Sequence, residues 1–356
     1  LQPAFSDPVP DVRAAAAAVL AELLRRKGQS SAPAELVGFM ADPSPTVRAS
    51  TVQAIALLGG NVPQQVVAGL DDESPAVRGA VAHALKSFGR IDAAIPRLLA
   101  LLERDEALRE PYLRALEAAR PSSAVVPALA EALKSGSRLA RLHAAILLGR
   151  VGPDAKTAVP GLIALLKEPA EPEVMRQTIG TSFMLENTAG VGDPSCAAMI
   201  ALRKIDTTVP VIAALAEELS SDISLRRIVA ARVLGEIGPP AALAIPALVS
   251  DIARQLGTKE WDSELYVPET IALGRIAPGT PQTAEAVAIL SRALDCPDHR
   301  SAHAAEALAS FGKEGAITLD KLRALRNRSS DDPYARDAAQ RAITAIEPAQ
   351  SRPKEE

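Results

Sequence analysis

The chain repeats one helical phrase along nearly its whole length. Residues 42–60 read DPSPTVRASTVQAIALLGG, and residues 72–89 read DESPAVRGAVAHALKSFG. Ser44 and Pro45 suit the first positions of a helix, and the glycine pair that starts at Gly59 suits its end. Between them, apolar residues recur at helical spacing, namely Val47, Val52, Ile55 and Leu58. The repeated unit therefore begins with a short amphipathic helix.

A second apolar helix follows the first in most units. Proline often opens it, as in AIPRLLALLE from residue 94 and AIPALVSDIARQL from residue 244. A helix of about twelve residues is marginal in water, and one hairpin cannot cover its own apolar stripe. Neighbouring hairpins must therefore stack, which predicts an all-α solenoid.

One position of the first helix is occupied by arginine in eight of ten units. The residues at this position are Arg13, Arg48, Arg78, Arg109, Arg141, Arg176, Arg227, Tyr266, Ser301 and Arg336. In three units an aspartate lies six residues before the arginine, giving the pairs Asp7/Arg13, Asp42/Arg48 and Asp72/Arg78. In three later units serine replaces the acid, at Ser135, Ser221 and Ser330.

These features together resemble the HEAT-repeat family, especially its short HEAT-like repeats of the bilin-lyase-like type. Such repeats carry D-x-x-x-x-x-R ahead of an Ala-rich first helix and a Pro-opened second helix. The resemblance implies a right-handed α-solenoid (an α/α superhelix) of about ten HEAT-like hairpins. It also implies that aspartates and arginines bind across neighbouring repeats as a structural ladder, with members Asp7, Arg13, Asp42, Arg48, Asp72, Arg78, Arg109 and Arg141. The alternative is a row of arginines that grips an acidic partner.

The domain prediction is a single solenoid over residues 1–347, followed by a polar C-terminal tail over 348–356. The repeat at about 169–220 is enlarged by an inserted loop, TAGVGDPS, and an extra helix that Asp193 and Pro194 begin. The loop lacks the Lys-Ser/Thr of a P-loop and the GxGxxG of a dinucleotide turn, which favours a packing insertion over a nucleotide site. A partner-binding loop is the alternative. The start at Leu1 suggests a processed or excised piece, so any targeting signal is hidden.

The composition favours closely packed helices, because 48% of the residues are hydrophobic and only 3% are aromatic. A formal net charge of −4 argues against a surface that reads phosphates over the whole molecule, so nucleic acid is not the predicted partner. The chain has no uninterrupted apolar run long enough to span a membrane. The last repeat is locally basic at Lys321, Arg323, Arg326 and Arg328; a solvated helix is the favoured interpretation, and an acidic partner or nucleic acid is the alternative.

Few residues suggest catalysis. Cys296, His299 and His303 in CPDHRSAH form a weak candidate metal site, but Pro297 and Asp298 favour an exposed helix start there. No cofactor is predicted. The enzyme alternatives are a bilin-lyase-like or metal-dependent enzyme, or an accessory repeat domain of a larger enzyme.

The predicted function is a monomeric scaffold that binds a peptide, helix or protein partner. Counted from the opening proline at 100° per residue, positions +1, +4 and +8 of each second helix should face solvent. This row is rich in small residues and has charges of both signs, which suits a polypeptide, and the resemblance implies that second helices line a concave groove. The candidate partner-binding residues are Arg97, Arg104, Glu131, Glu168, Glu218 and Arg254, with Trp261 as a candidate aromatic anchor. The favoured interpretation of the segment around Trp261 is a loop whose aromatic residues pack over the seam between two repeats.

Overall fold

We describe the fold from a computed structural model that covers residues 2–169, 192–257, 263–329 and 332–347, without the side chains of residue 2 and residues 263–266. Six predicted features lie outside this description. They are Arg176, residues 188–191 of the inserted loop, Trp261, the side chain of Tyr266, Ser330 and the tail 348–356.

Within the described ranges the regular structure is entirely helical. The first eleven helices are α1 (Gln2–Phe5), α2 (Pro10–Arg26), α3 (Ala34–Gly38), α4 (Pro45–Leu58), α5 (Gln64–Ala68), α6 (Pro75–Leu85), α7 (Ile95–Arg104), α8 (Arg109–Ala118), α9 (Val126–Ala132), α10 (Arg138–Val151) and α11 (Val159–Leu166). The next nine are α12 (Pro194–Ile205), α13 (Val209–Glu217), α14 (Ser224–Ile237), α15 (Ile245–Leu256), α16 (Ser263–Ile276), α17 (Thr283–Ala293), α18 (His299–Leu308), α19 (Leu319–Arg328) and α20 (Pro333–Ile346). None of the described helices is both long and apolar enough to cross a membrane.

The predicted helix boundaries of the repeated phrase are confirmed at α4. This helix begins at Pro45 and ends at Leu58, where Gly59 adopts a φ of 67° that favours glycine. Its apolar stripe is buried, as expected. Ser44 occupies the N-cap position but its side chain makes no capping hydrogen bond; instead its backbone N–H donates to the carboxylate of Asp42 at 2.8 Å. The aspartate therefore organises the helix start.

The chain falls into two compact units, residues 1–162 and 163–356. In the first unit, α2, α4, α6 and α8 stack in order, and the second helices α3, α5, α7 and α9 follow them in sequence. In the second unit, α12, α14, α16, α18 and α20 stack in the same way. Each unit therefore buries the apolar stripe of one hairpin against the next, which is the packing of an α-solenoid.

The all-α solenoid is thus confirmed; its right-handedness and its continuity as one array over 1–347 remain predictions. The described residues form nine hairpins followed by α20. Asp193 caps α12 and Pro194 begins it, as predicted. Because α12 stacks on α14, it takes the place of a first helix in its hairpin.

First helices of the second unit approach closely at two glycines. A methyl group added to Gly235 of α14 would lie 2.9 Å from the Cα of Ala272 in α16. A methyl group added to Gly274 would lie 3.1 Å from the Cα of Ala307 in α18. Both neighbouring atoms belong to backbone, so these two contacts depend on glycine.

Seven of the nine second helices in the described ranges start in one of two ways. A 3-10 turn leads directly into α9, α11, α15 and α19, as in Pro239–Ala244 before α15. In contrast, α3, α5 and α13 start from an extended residue and end in a 3-10 turn, as in Glu218–Ser220 after α13. These two kinds of start place the inward face at different distances from the opening proline.

Candidate protein-binding surface

Charged side chains join neighbouring hairpins of the first unit. Arg13 binds both carboxylate oxygens of Asp42, at 2.7 and 2.8 Å, and Arg48 binds those of Asp72 at the same two distances. Each guanidinium also donates through Nη1 to the backbone carbonyl six residues before it, at Asp7 or Asp42. An aspartate such as Asp42 therefore receives one arginine on its carboxylate and the next arginine on its carbonyl.

These contacts engage the arginines with the chain's own carboxylates. The hydrogen bonds from Arg13 hold the pKa of Asp42 below its usual range, and those from Arg48 do the same for Asp72. The four side chains are largely buried. A paired, buried guanidinium is a poor point of attachment for an acidic partner, so this geometry favours the structural interpretation.

The next ladder contact uses two residues that were not predicted, Asp105 and Tyr112. Arg78 donates to Asp105 at 2.7 Å, and the hydroxyl of Tyr112 donates to the same carboxylate oxygen at 2.9 Å. Asp105 has no arginine six residues after it, so the D-x-x-x-x-x-R pattern could not find it. Arg109 does not join these contacts with aspartate. Its Nε donates instead to the carbonyl of Leu102 at 3.0 Å.

Serine takes over part of the aspartate's role in later hairpins. Arg141 donates to the carbonyls of Ser135 and Gly136 at 2.7 and 3.0 Å. The hydroxyl of Ser135 accepts the backbone N–H of Ser137 at 3.1 Å, as the Asp42 carboxylate does for Ser44. The turn is preserved without the acid.

In the second unit the arginine of the repeated position, Arg227, lies near two buried carboxylates, those of Asp251 and Glu269. Arg227 donates to the carbonyl of Ser221 at 2.6 Å, but its Nε lies 4.0 Å from the buried carboxylate of Asp251, which Arg254 also binds. Glu269 of α16 is fully buried, and within the described part of the chain neither of its carboxylate oxygens has a hydrogen-bonding partner. Burial, together with the nearby Asp251, raises the pKa of Glu269 well above its usual range.

A second arginine, Arg226, forms an ion pair that the ladder pattern did not predict. Arg226 donates from Nε to Asp193 at 2.9 Å, and the two side chains are only 7% and 3% exposed. Its Nη1 also donates to the carbonyls of Leu166 and Glu168 at 3.3 and 2.9 Å. One guanidinium therefore joins the C-terminal end of α11 to the N-terminal end of α12. The arginine doublet at 226–227 was the available signal.

The part of the predicted solvent-facing row that lies on α7 and α9 presents its charged residues at the surface. Arg97, Arg104 and Glu131 all reach the surface. Arg97 lies 3.3 Å from Asp71, and Glu131 accepts a hydrogen bond from Lys134 at 2.8 Å. Exposed pairs of this kind break readily, which leaves these charges accessible to a partner.

The row is wrong at α13. Val211 and Ala214, expected at the surface, are buried, and Glu218 is half-buried with a pKa raised by burial. The reason is the way this helix starts. Because α13 begins after the extended Thr208, its first buried residue is Val211, the third of the helix, whereas the first residue of α15, Ile245, is already buried.

The remaining candidates on the row differ in their surroundings. Glu168 is half-buried near the end of α11. Arg254 is exposed along its stem, but its guanidinium turns towards Asp251. Trp261 lies outside the described residues.

A groove of about 710 Å³ runs between the second helices of the first two hairpins. Its walls come from α3, α5 and the 3-10 turns that follow each of them, and they include Val37, Gly38, Met40, Gln65, Ala68 and Gly69. A methyl group added to Gly38 would meet no heavy atom within 4 Å, so this backbone faces open space. Small side chains on both walls therefore let another chain come close.

This groove was not predicted, because the predicted solvent row began with the second helix at residue 94. The available signal was the small residues at the ends of the two short helices, namely Ala34, Gly38 and Ala68. Met40 contributes an adaptable surface, since its thioether side chain can adjust to the shape of a bound group.

The structure does not assemble the candidate metal site. His299 Nδ1 lies 3.9 Å from Asp332, whereas His303 Nδ1 lies 3.0 Å from the hydroxyl of Tyr334. Among the described residues no three His, Cys, Asp or Glu side chains are placed to hold a metal ion. Asp298 caps α18 and His299 begins it, as the sequence predicted.

The basic residues of α19 are engaged within the second unit. Lys321 binds Asp295 at 2.6 Å, Arg323 binds Glu347 at 2.6 Å, and Arg328 donates to the carbonyl of Cys296 at 3.0 Å. The two carboxylates offset part of the local positive charge, so the geometry favours the solvated-helix interpretation over nucleic-acid binding.

Comparisons with known proteins agree with this geometry. The family model for HEAT repeats matches residues 35–117 and 95–181. An engineered protein is similar in structure, with a TM-score of 0.50 and 21% identity over 96% of this chain and 97% of that chain. No curated protein matches the chain in a sequence comparison.

Two structures of Kap121p share the fold at low identity. A Kap121p mutant aligns with a TM-score of 0.56 and 13% identity, over 97% of this chain and 40% of that chain. Kap121p bound to RanGTP aligns with a TM-score of 0.53 and 13% identity, over the same shares. This chain therefore spans about 40% of the length of those Kap121p chains.

Proposed function

We propose that this chain, which is a HEAT-repeat protein, is a scaffold that binds a polypeptide segment on the second helices of its first unit. The observation that carries the proposal is the groove between α3 and α5. The proposed activity is binding and not catalysis.

The groove suits a polypeptide because much of its lining consists of small residues. Gly38 and Ala68 are exposed and have little or no side chain, so a bound backbone or helix can approach closely. The Arg13–Asp42 and Arg48–Asp72 pairs join the hairpins that form the walls, so the groove exists before the partner arrives. Binding to a preformed surface avoids an ordering cost.

The binding surface extends, in this proposal, along the same set of second helices to Arg97, Arg104 and Glu131. These charges would act at the rim and would tune partner choice and association rate more than affinity. Kap121p, which shares the fold, has RanGTP bound in one structure, so a protein partner is a reasonable ligand class.

The test is a peptide-display selection against the chain, followed by titration of the selected peptides. Gly38→Trp should weaken them by at least about tenfold, because the indole would fill the groove. A matched control is Gly89→Trp, since Gly89 is exposed, also faces open space and lies away from the groove lining. Selected peptides that bind the parent and Gly38→Trp equally well would overturn the proposal.

A further inference from the structure

The groove interior offers apolar contact and almost no polar contact. Of its lining side chains, Gln65 and Asp72 are polar, and the carboxylate of Asp72 is already bound by Arg48. A small ligand usually needs several convergent polar groups to fix its orientation. The volume of about 710 Å³ instead suits the bulky apolar side chain of a polypeptide, resting on Val37 and Met40.

The chain around the groove is strongly acidic. Residues 28–74, which contain both walls, have five acids (Glu35, Asp42, Asp71, Asp72 and Glu73) and one base, Arg48. The ladder neutralises two of these acids, since Arg13 binds Asp42 and Arg48 binds Asp72. Three carboxylates on the groove's own helices and turns therefore remain for a partner.

These three carboxylates are accessible. Glu35 is exposed on α3, between lining residues. The side chain of Asp71 is 61% exposed, and its contact with the exposed Arg97 is 3.3 Å long. The side chain of Glu73 is 91% exposed, and Arg48 reaches it only at 3.8 Å. A cationic partner would find them without breaking a buried pair.

We infer that the segment bound by this groove carries a bulky apolar anchor flanked by lysine or arginine. This inference rests on the proposed function and names the chemistry of its partner. The apolar anchor fills the space in front of Gly38, and the flanking cations meet Glu35, Asp71 and Glu73 at the rim. A polyanion such as nucleic acid would be repelled by the same carboxylates.

The experiment uses the peptides selected against the full chain. Their sequences are expected to be enriched in an apolar residue with lysine or arginine within a few positions. Their affinity should fall as NaCl is raised, because exposed charges are screened. A triple variant, Glu35→Gln, Asp71→Asn and Glu73→Gln, should weaken them by about fivefold and flatten the salt dependence.

A matched triple variant controls for net charge. Glu103→Gln, Glu110→Gln and Glu117→Gln also remove three exposed carboxylates from the first unit, but none of them is next in sequence to a residue that lines the groove, as Glu35, Asp71 and Glu73 are. This control should leave peptide affinity unchanged.

The outcomes separate this inference from the proposed function. Peptides that are lost on Gly38→Trp but show no basic enrichment and no response to the rim variant would overturn the partner chemistry and leave the groove in place. Peptides whose affinity is unchanged by Gly38→Trp would overturn both the inference and the proposed function. Equal losses in the rim and control variants would show a general charge effect and would also overturn the inference.

Discussion

The arginine at the repeated position of the first helix has different binding partners in the two units. In the first unit, Arg13, Arg48 and Arg78 each find an aspartate about one repeat further along the chain. In the second unit, Arg227 lies 4.0 Å from an aspartate that Arg254 also binds, and Arg226 reaches back to Asp193 instead. Separation along the chain does not set this difference, because Arg48 and Asp72 are as far apart in sequence as Arg227 and Asp251. The two aspartates differ in their place in the hairpin: Asp72 lies in the turn before α6, whereas Asp251 lies within α15.

The buried charges differ as well. In the first unit the position three residues after the arginine is Ala16, Thr51, Val81, Tyr112 or Ala144. In the second unit the corresponding position of α16 is Glu269, which places a carboxyl in the core beside Asp251. A regular ladder strengthens the register of the solenoid, whereas an unpaired buried acid weakens it locally.

Removal of Arg226 should have the largest effect on stability. Arg226→Ala would leave Asp193 buried without its cation, so the free energy of unfolding should fall by about 3–5 kcal/mol. Urea denaturation measures this change. Lys134→Ala, which breaks an exposed pair, is the control, and a loss as small as that of the control would contradict the prediction. Asp193→Asn in the same chain should recover part of the loss.

Removal of Arg48 should cost less, about 1.5–3 kcal/mol at pH 7, because Asp72 keeps some contact with water. Arg48 lowers the folded-state pKa of Asp72, so this stability is present above the usual aspartate pKa and is lost as pH falls through the lowered value. The difference between the parent and Arg48→Ala should therefore begin to shrink below about pH 4 and continue to shrink as the pH is lowered further. Urea titrations between pH 3 and 7 test this, and a constant difference over that range is the contrary result.

Glu269→Gln should stabilise the second unit. The raised pKa of Glu269 means that folding favours its protonated form, so the parent loses stability as pH rises above the unfolded pKa of glutamate. The variant should gain about 1–3 kcal/mol at pH 8 and less at pH 5. Thermal unfolding at the two pH values measures the gain. Glu285→Gln, at an exposed position of α17, should show no such pH dependence, and equal behaviour of the two variants would refute the prediction.

Alanine at two glycines should have small effects of opposite sign. Gly235→Ala places a methyl group 2.9 Å from the Ala272 backbone, and it should cost about 1 kcal/mol after its helix-propensity gain. Gly38→Ala meets open space in α3 and should stabilise by about 0.5 kcal/mol. Paired urea denaturation curves test this, and effects of the same sign would show that close helix approach in the second unit is not the deciding factor.

Much of the fold was readable from local chemistry. The helix phrase from Pro45 to Leu58, its glycine stop and its buried stripe follow from short-range spacing. The caps of α12 and α18 at Asp193 and Asp298 are equally local. The solvent row succeeded on α7 and failed on α13, because a single-helix projection contains no information on how the chain leads into a helix.

The all-α repeat, the starts of several helices and the residue types of the ladder follow from the sequence alone. These features depend on backbone propensity and on spacing within one hairpin. The packing of the hairpins was needed to show that Arg78 pairs with Asp105 while Arg109 leaves the ladder, that Arg226 binds Asp193, that Glu269 lies in the core and that α3 and α5 leave a groove. Those outcomes depend on the distance between groups about 20 to 60 residues apart, which the stacking of hairpins sets and no local pattern encodes.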